Sequence, residues 1–140
     1  MWKKAIAAAF IAMAAAAPMQ YAQAAPVQTE IEQQSDAAEK NGIVHIVMLR
    51  FKSEETADEG FELARVAFAD LQKEIPTIED VKIRRNCVAR EGNFSVMIEM
   101  VLSDEETLDK YLKHPLHVGF AQKCMPNMNG RASFDYPREK

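Results

Sequence analysis

The apolar spacing of this 140-residue chain predicts an α+β domain with a ferredoxin-like protomer, in the order strand, helix, strand, strand, helix, strand. Three observations carry that prediction. Ile43 to Phe51 (IVHIVMLRF) is apolar on both alternating faces, which marks a strand covered on both sides. Phe61, Ala64, Phe68, Leu71 and Ile75 follow at steps of three and four, the stripe of one helix. Two further alternating runs, Ile78 to Val88 and Phe94 to Leu102, flank a turn at Glu91-Gly92-Asn93.

The chain opens with Lys3 and Lys4, an apolar run of 13 residues from Ala5 to Ala17, the breaker Pro18, and the small-x-small site Ala22-Gln23-Ala24. A spanning helix needs about 20 apolar residues, and this pattern fits a removed secretory signal over residues 1–24. Residues 25–42 (APVQTEIEQQSDAAEKNG) are rich in Gln, Glu, Ala and Ser and poor in large apolar side chains. They read as a flexible leader, with a short helix through Glu30 to Glu39 as the alternative. Residues 43–137 form the single domain.

Within that domain, strand one places Ile43, His45, Val47, Leu49 and Phe51 on one face and Val44, Ile46 and Met48 on the other. The helix stripe begins after Thr56, whose spacing to Glu59 resembles a capping box, and ends before Pro76. Lys82, Arg84 and Arg85 mark the second strand as an edge. Ser103, with Glu106 three residues on, reads as the N-cap of a helix to about Lys113. A further helical stretch runs from Pro115 to about Met128, and Asn129-Gly130 turns into a last strand, Arg131 to Tyr136. Since the first strand is apolar on both sides, the sheet face away from the helices also needs cover. A second copy of the chain, sheet against sheet, supplies it, so a homodimer is expected.

Composition excludes several function classes. Loss of residues 1–24 removes two basic side chains and no acidic one, leaving 15 basic against 21 acidic residues. The one basic cluster, Lys82, Arg84, Arg85 and Arg90, is flanked by Glu79, Asp80 and Glu91, so nucleic acid is no partner. No membrane contact is expected once the signal is removed. Nucleophile-elbow, phosphate-loop and dinucleotide motifs are missing, and no cofactor is expected. Cys87 ends a strand pattern and Cys124 sits in a helical one. They read as two buried free thiols, with a single disulfide as the alternative.

The stretch YLKHPLHVGF, Tyr111 to Phe120, carries the chemistry. A residue before proline is pushed out of the helical region and proline suits a first helical position, so His114 ends one helix and Pro115 starts the next. His117 then lies in the first turn of the new helix, where the positive end of the dipole favours a neutral imidazole. A neutral imidazole is what a general base requires. Tyr111 stands on the last turn of the preceding helix, where the break can fold it back toward His117. His45 sits inside the most apolar strand and must find a hydrogen-bond partner or line a cavity. The residues alone leave plain roles open: a cap for His114, core packing for Tyr111, a satisfied core position for His45. A copper or zinc site using His45, His114 and His117 with Cys124, Met125 or Met128 is a further alternative.

The ordered runs IVHIVMLRFK, EIPTIEDV, YLKHPLHVGF and FDYP together resemble the stress-responsive dimeric α/β-barrel (Dabb) family over essentially all of Ile43 to Pro137. The resemblance implies a ferredoxin-like protomer that pairs through its sheet to form a barrel. In a plant polyketide cyclase of the family, the residue matching His117 is the general base, the residue matching Tyr111 supports it, and the one matching His45 lines the pocket. The resemblance therefore implies a cyclase- or lyase-like enzyme with His117 and Tyr111 as catalytic residues. The pocket expected between sheet and helices has His45, Val47, Leu49, Phe68, Ile98, Phe120 and Arg131 as ligand contacts. Met128, Arg131 and Ser133 replace bulky apolar residues of the plant enzyme's tunnel, and an arginine there favours a small anionic ligand. The expected ligand is a small polar aromatic or carboxylic compound, and the rival reading is a non-catalytic stress or binding dimer.

Overall fold

Antiparallel pairing joins four strands in the order β2-β3-β1-β4, with helices packed on one face. The computed structural model describes residues 27–140, so the signal reading of residues 1–24 lies outside the described residues. The elements are α1 (Val27–Asn41), β1 (Ile43–Phe51), α2 (Glu54–Glu74), β2 (Ile78–Arg85), β3 (Val96–Leu102), α3 (Glu105–Lys113), α4 (Pro115–Cys124) and β4 (Met128–Pro137). A 3₁₀ turn, Met125–Asn127, joins α4 to β4. From β1 onward the order is ferredoxin-like, as the periodicity predicts.

The segment expected as a flexible leader follows its alternative reading: a 15-residue helix, α1, runs through Glu30 to Glu39 and beyond at both ends. Its end is fixed by tertiary contacts that composition does not register. Ala38 is buried, and Gly42, at φ 89°, donates its N–H to the Ala38 carbonyl at 2.9 Å. A side chain at Gly42 would also collide with the Leu102 carbonyl, so only glycine serves there.

Both expected helix starts shift. Ser53, not Thr56, caps α2: its hydroxyl accepts the Thr56 N–H at 3.1 Å, while the Thr56 hydroxyl accepts the Ser53 N–H at 3.2 Å. Asp104, not Ser103, caps α3, accepting from the Thr107 N–H at 2.7 Å. The Ser103 hydroxyl is occupied elsewhere, donating to the Thr77 carbonyl at 3.1 Å. The second strand stops at Arg85, short of Val88, because the Asn86 side chain bonds both backbone groups of Val88 and turns the chain. Cys87 is thereby exposed rather than buried, while Cys124 is buried; both are free thiols.

The core lies between the sheet and α2, α3 and α4. Phe68 and Leu71 of α2, Ile98, Met100 and Leu102 of β3, and Tyr111 of α3 are at most 1% exposed. The opposite sheet face carries Ile46, Met48, Met97, Val101 and Tyr136, all partly open to water, and Phe134, which is 64% exposed. The row on β1 and β4 is apolar, with Glu99, Lys82 and Arg84 beside it on β3 and β2, and among the described residues it stays open to water.

Candidate functional site

The His114–Pro115 break shapes the site. His114 adopts an extended conformation (φ −68°, ψ 136°), ending α3 and opening α4. Its ring caps the new helix: Nδ1 accepts the Leu116 N–H at 3.2 Å, and Nε2 lies 2.9 Å from the Glu74 carboxylate. His114 is thus committed to the helix junction and does not line the cavity. Among the described residues, no group of three or more His, Cys, Asp or Glu side chains stands close enough to hold a metal ion. That removes the geometry on which the three-histidine metal reading depends.

The same break folds the last turn of α3 over the first turn of α4, so the Tyr111 and His117 rings meet with centroids 4.4 Å apart. His117 Nδ1 lies 3.1 Å from the Leu112 carbonyl, which can only accept. The hydrogen therefore sits on Nδ1, and in the neutral ring Nε2 carries the free lone pair. Partial burial lowers the pKa of His117 below its ordinary value, against the opposing bond to Leu112, with the charges of His45 and Arg131 adding to the fall. A neutral, singly oriented imidazole results.

Tyr111 packs its ring beside His45 (5.6 Å) and Phe68 (5.8 Å). Burial pushes its phenol well above the ordinary range, against a small opposing effect of Arg131, so the hydroxyl stays protonated and serves as a donor. Among the described residues, nothing hydrogen-bonds that hydroxyl.

His45 is 5% exposed. Register places it opposite Asp135 of β4, whose carboxylate holds its Nδ1 at 2.5 Å. The other nitrogen, Nε2, is buried and has no partner. Both plain expectations for His45 are thus half true: one nitrogen is satisfied, and the ring lines a cavity while its Nε2 stays buried without a partner. Asp135 escapes sequence reasoning because it is 90 residues away, on a strand half open to water. The signal that could have found it is the demand of a buried histidine for an acceptor.

These groups surround a cavity of about 310 Å³. His45, Val47 and Leu49 of β1 and Ile98 of β3 make its floor; Phe68, Tyr111, His117 and Phe120 make its helical wall; Arg131 stands on β4. All nine positions expected around a pocket therefore border one space. Leu112, Ala121, Cys124, Met125, Met128 and Ser133 complete the lining, and Met125, 61% exposed, lies toward the mouth. An apolar chamber with a neutral imidazole, a phenolic donor and an unpaired second imidazole suits proton transfer to and from a small organic compound.

Comparison with known proteins agrees with this architecture. Residues 43–138 match the Stress responsive A/B Barrel Domain family. The chain is 27% identical over 100 residues to olivetolic acid cyclase from Cannabis sativa, covering 70% of this chain and 98% of that one. A dimeric ferredoxin-like protein of unknown function from Bacteroides fragilis superposes with a TM-score of 0.60 at 18% identity, covering 69% of this chain and 95% of that one. A hydroxynitrile lyase from Passiflora edulis superposes with a TM-score of 0.55, also at 18% identity, covering 70% and 94%.

Proposed function

The chain belongs to the stress responsive A/B barrel domain family, and on that premise we propose an enzyme that takes a small polar aromatic or carboxylic compound into the cavity and moves a proton on it. The observation that carries the proposal is the set of polar atoms without a protein partner around an apolar chamber: His45 Nε2, the Tyr111 hydroxyl and the bare Nε2 of His117. Of these His45 Nε2 is fully buried, and protein interiors pair such a group or leave it at a cost in stability.

In the proposed step His117 Nε2 takes a proton from carbon next to a substrate carbonyl. Electrons from that C–H bond move to the carbonyl oxygen, where the Tyr111 hydroxyl donates a hydrogen bond to the developing charge. His45, held in one orientation by Asp135, gives the substrate a second polar contact. The protonated His117 then returns its proton, to carbon or to an oxygen formed when the enolate attacks a second carbonyl. Relatives named as a cyclase and a hydroxynitrile lyase support an enzymatic use of the cavity.

The assembly we propose is a homodimer joined through the apolar sheet face around Phe134, and structural neighbours described as dimeric support it. Export is also proposed, on the Lys3-Lys4, Ala5–Ala17 and Ala22-Gln23-Ala24 pattern. The test is deuterium uptake from D₂O at the activated carbon of small ketones and keto acids, followed by NMR. Wild type should accelerate exchange on at least one compound, and His117→Ala should lose about 10²–10⁴ of that acceleration. Equal rates in the two proteins would defeat the base assignment and leave a non-catalytic binding protein.

A further inference from the structure

We propose that the cavity selects carboxylates, with Arg131 as the anchor for the anionic group and Ser133 as a second donor beside it. This rests on the reading of the chamber as a small-molecule site and names the class of compound it takes.

The argument begins with the inner face of β4. Arg131, Ser133 and Asp135 alternate along the strand and pair across to Leu49, Val47 and His45 of β1, so all three stand on the cavity side of the sheet. Their neighbours on β1 and β3 are apolar except His45, so this one strand puts a row of polar groups along a greasy chamber. Asp135 is already committed to His45. Arg131 is not: among the described residues its guanidinium meets no carboxylate, whereas Arg65 and Arg138 each hold one and Arg85 holds two. Arg50, Arg84 and Arg90 also lack a carboxylate partner, but of these four Arg131 is the arginine that borders the cavity. Its charge reaches the chamber, since it acts on both Tyr111 and His117.

The spacing then sets what the ligand must span. Four residue-to-residue steps of extended chain lead from Arg131 to Asp135, about 14 Å at roughly 3.4 Å per step. Both the arginine and the histidine held by Asp135 reach inward from those ends. What remains between them, in a cavity of about 310 Å³, is room for one ring or a short chain. A carboxylate on the guanidinium would leave the rest of the compound over the apolar floor, with its carbonyl or hydroxyl oxygen toward Tyr111 and His45. One guanidinium and one hydroxyl match a singly charged, planar anion; a phosphate group with up to two charges would want further donors. The geometry therefore favours a carboxylate.

The test compares two probes of the same shape, salicylate and its neutral amide salicylamide, by calorimetric titration of wild type and Arg131→Met. Arg131 is exposed, so the variant should fold with an unchanged melting temperature. Wild type should bind the acid about tenfold or more tightly than the amide, the gain of a charge-assisted bond over a neutral one. Arg131→Met should lower acid affinity to that of the amide and leave the amide unchanged. Equal binding of acid and amide by wild type, a preference that survives in Arg131→Met, or binding of neither probe would each overturn the inference. The deuterium-exchange test is independent. Exchange that depends on His117 without a charge preference sinks the carboxylate selection alone, and a charge preference without exchange sinks the proton-transfer reading alone.

Discussion

Tyr111→Phe separates a functional role for the phenol from a structural one, because only the functional role predicts lost activity at nearly unchanged stability. The substitution removes one oxygen and keeps the ring, which is 1% exposed and lies 4.4 Å from His117, 5.6 Å from His45 and 5.8 Å from Phe68 by centroids. Every packing contact therefore survives. The lost hydroxyl has no protein partner among the described residues, yet the buried polar atom left unpaired there is His45 Nε2, not this oxygen. Bordering a cavity that water can enter, it carries no full burial penalty, so its removal should change stability by no more than about 0.5 kcal/mol. For a domain of this size that is within roughly 2–4 °C in melting temperature. Activity should nevertheless fall. Removal of one donor to a developing oxyanion costs about 10²–10³ in rate, so exchange should fall by at least about a hundredfold. Thermal unfolding and the exchange assay read the two effects on one preparation. A Phe variant destabilised by about 1 kcal/mol or more would refute the reasoning, since the hydroxyl would then have to be bonded in the native state. Full activity would remove Tyr111 from the mechanism.

Three further outcomes follow from the same geometry. Burial lowers the folded-state pKa of His117, so in acid the unfolded chain takes up its proton first. The His117 contribution to stability is therefore unchanged above pH about 6.5 and falls as pH drops below it; His117→Gln should flatten that acid limb in pH-dependent urea unfolding, and an identical limb would contradict the assignment. Asp135→Asn keeps the shape but removes the charge that orients His45, and a side-chain amide can turn its NH₂ toward Nδ1. Ring ¹⁵N spectra should show His45 losing its single tautomer while exchange slows about tenfold, and an unaltered spectrum would dismiss the orienting role. At Gly60 a Cβ would run into the Phe51 ring, so Gly60→Ala should cost about 1–3 kcal/mol, read as a lower urea midpoint with unchanged slope. A midpoint equal to wild type would mean that Phe51 moves aside freely.

Strand and helix faces were legible because burial enforces period. The helix-facing side of β1 and the Phe61-to-Ile75 stripe of α2 each admit one packing, and the structure adopts it, while the second apolar side of β1 stays partly open within one chain. Helix starts were less legible, since Ser53, Thr56 and Glu59 near α2, and Ser103, Asp104, Glu106 and Thr107 near α3, offer several capping pairs of nearly equal merit. Only the path of the incoming chain decides among them, and for Ser103 it is the Thr77 carbonyl that draws the hydroxyl away. The polar composition of α1 points to a leader, but its closing contact at Ala38 and the turn at Gly42 are set by the sheet edge. At the site, Tyr111 and His117 were legible because a proline break leaves few ways for the chain to turn. Asp135 was not, because its pairing with His45 exists only in the register of β1 with β4.

The central claim is that His117 presents a bare Nε2 lone pair to the chamber near neutral pH. Ring ¹⁵N chemical shifts of His117 in the free protein at pH 7 test it most directly. The account predicts a neutral ring with hydrogen on Nδ1, bonded to the Leu112 carbonyl, and a non-protonated Nε2 that shifts on binding a ligand. A ring protonated on both nitrogens, or a neutral ring with its hydrogen on Nε2, would leave no base facing the substrate and would contradict it.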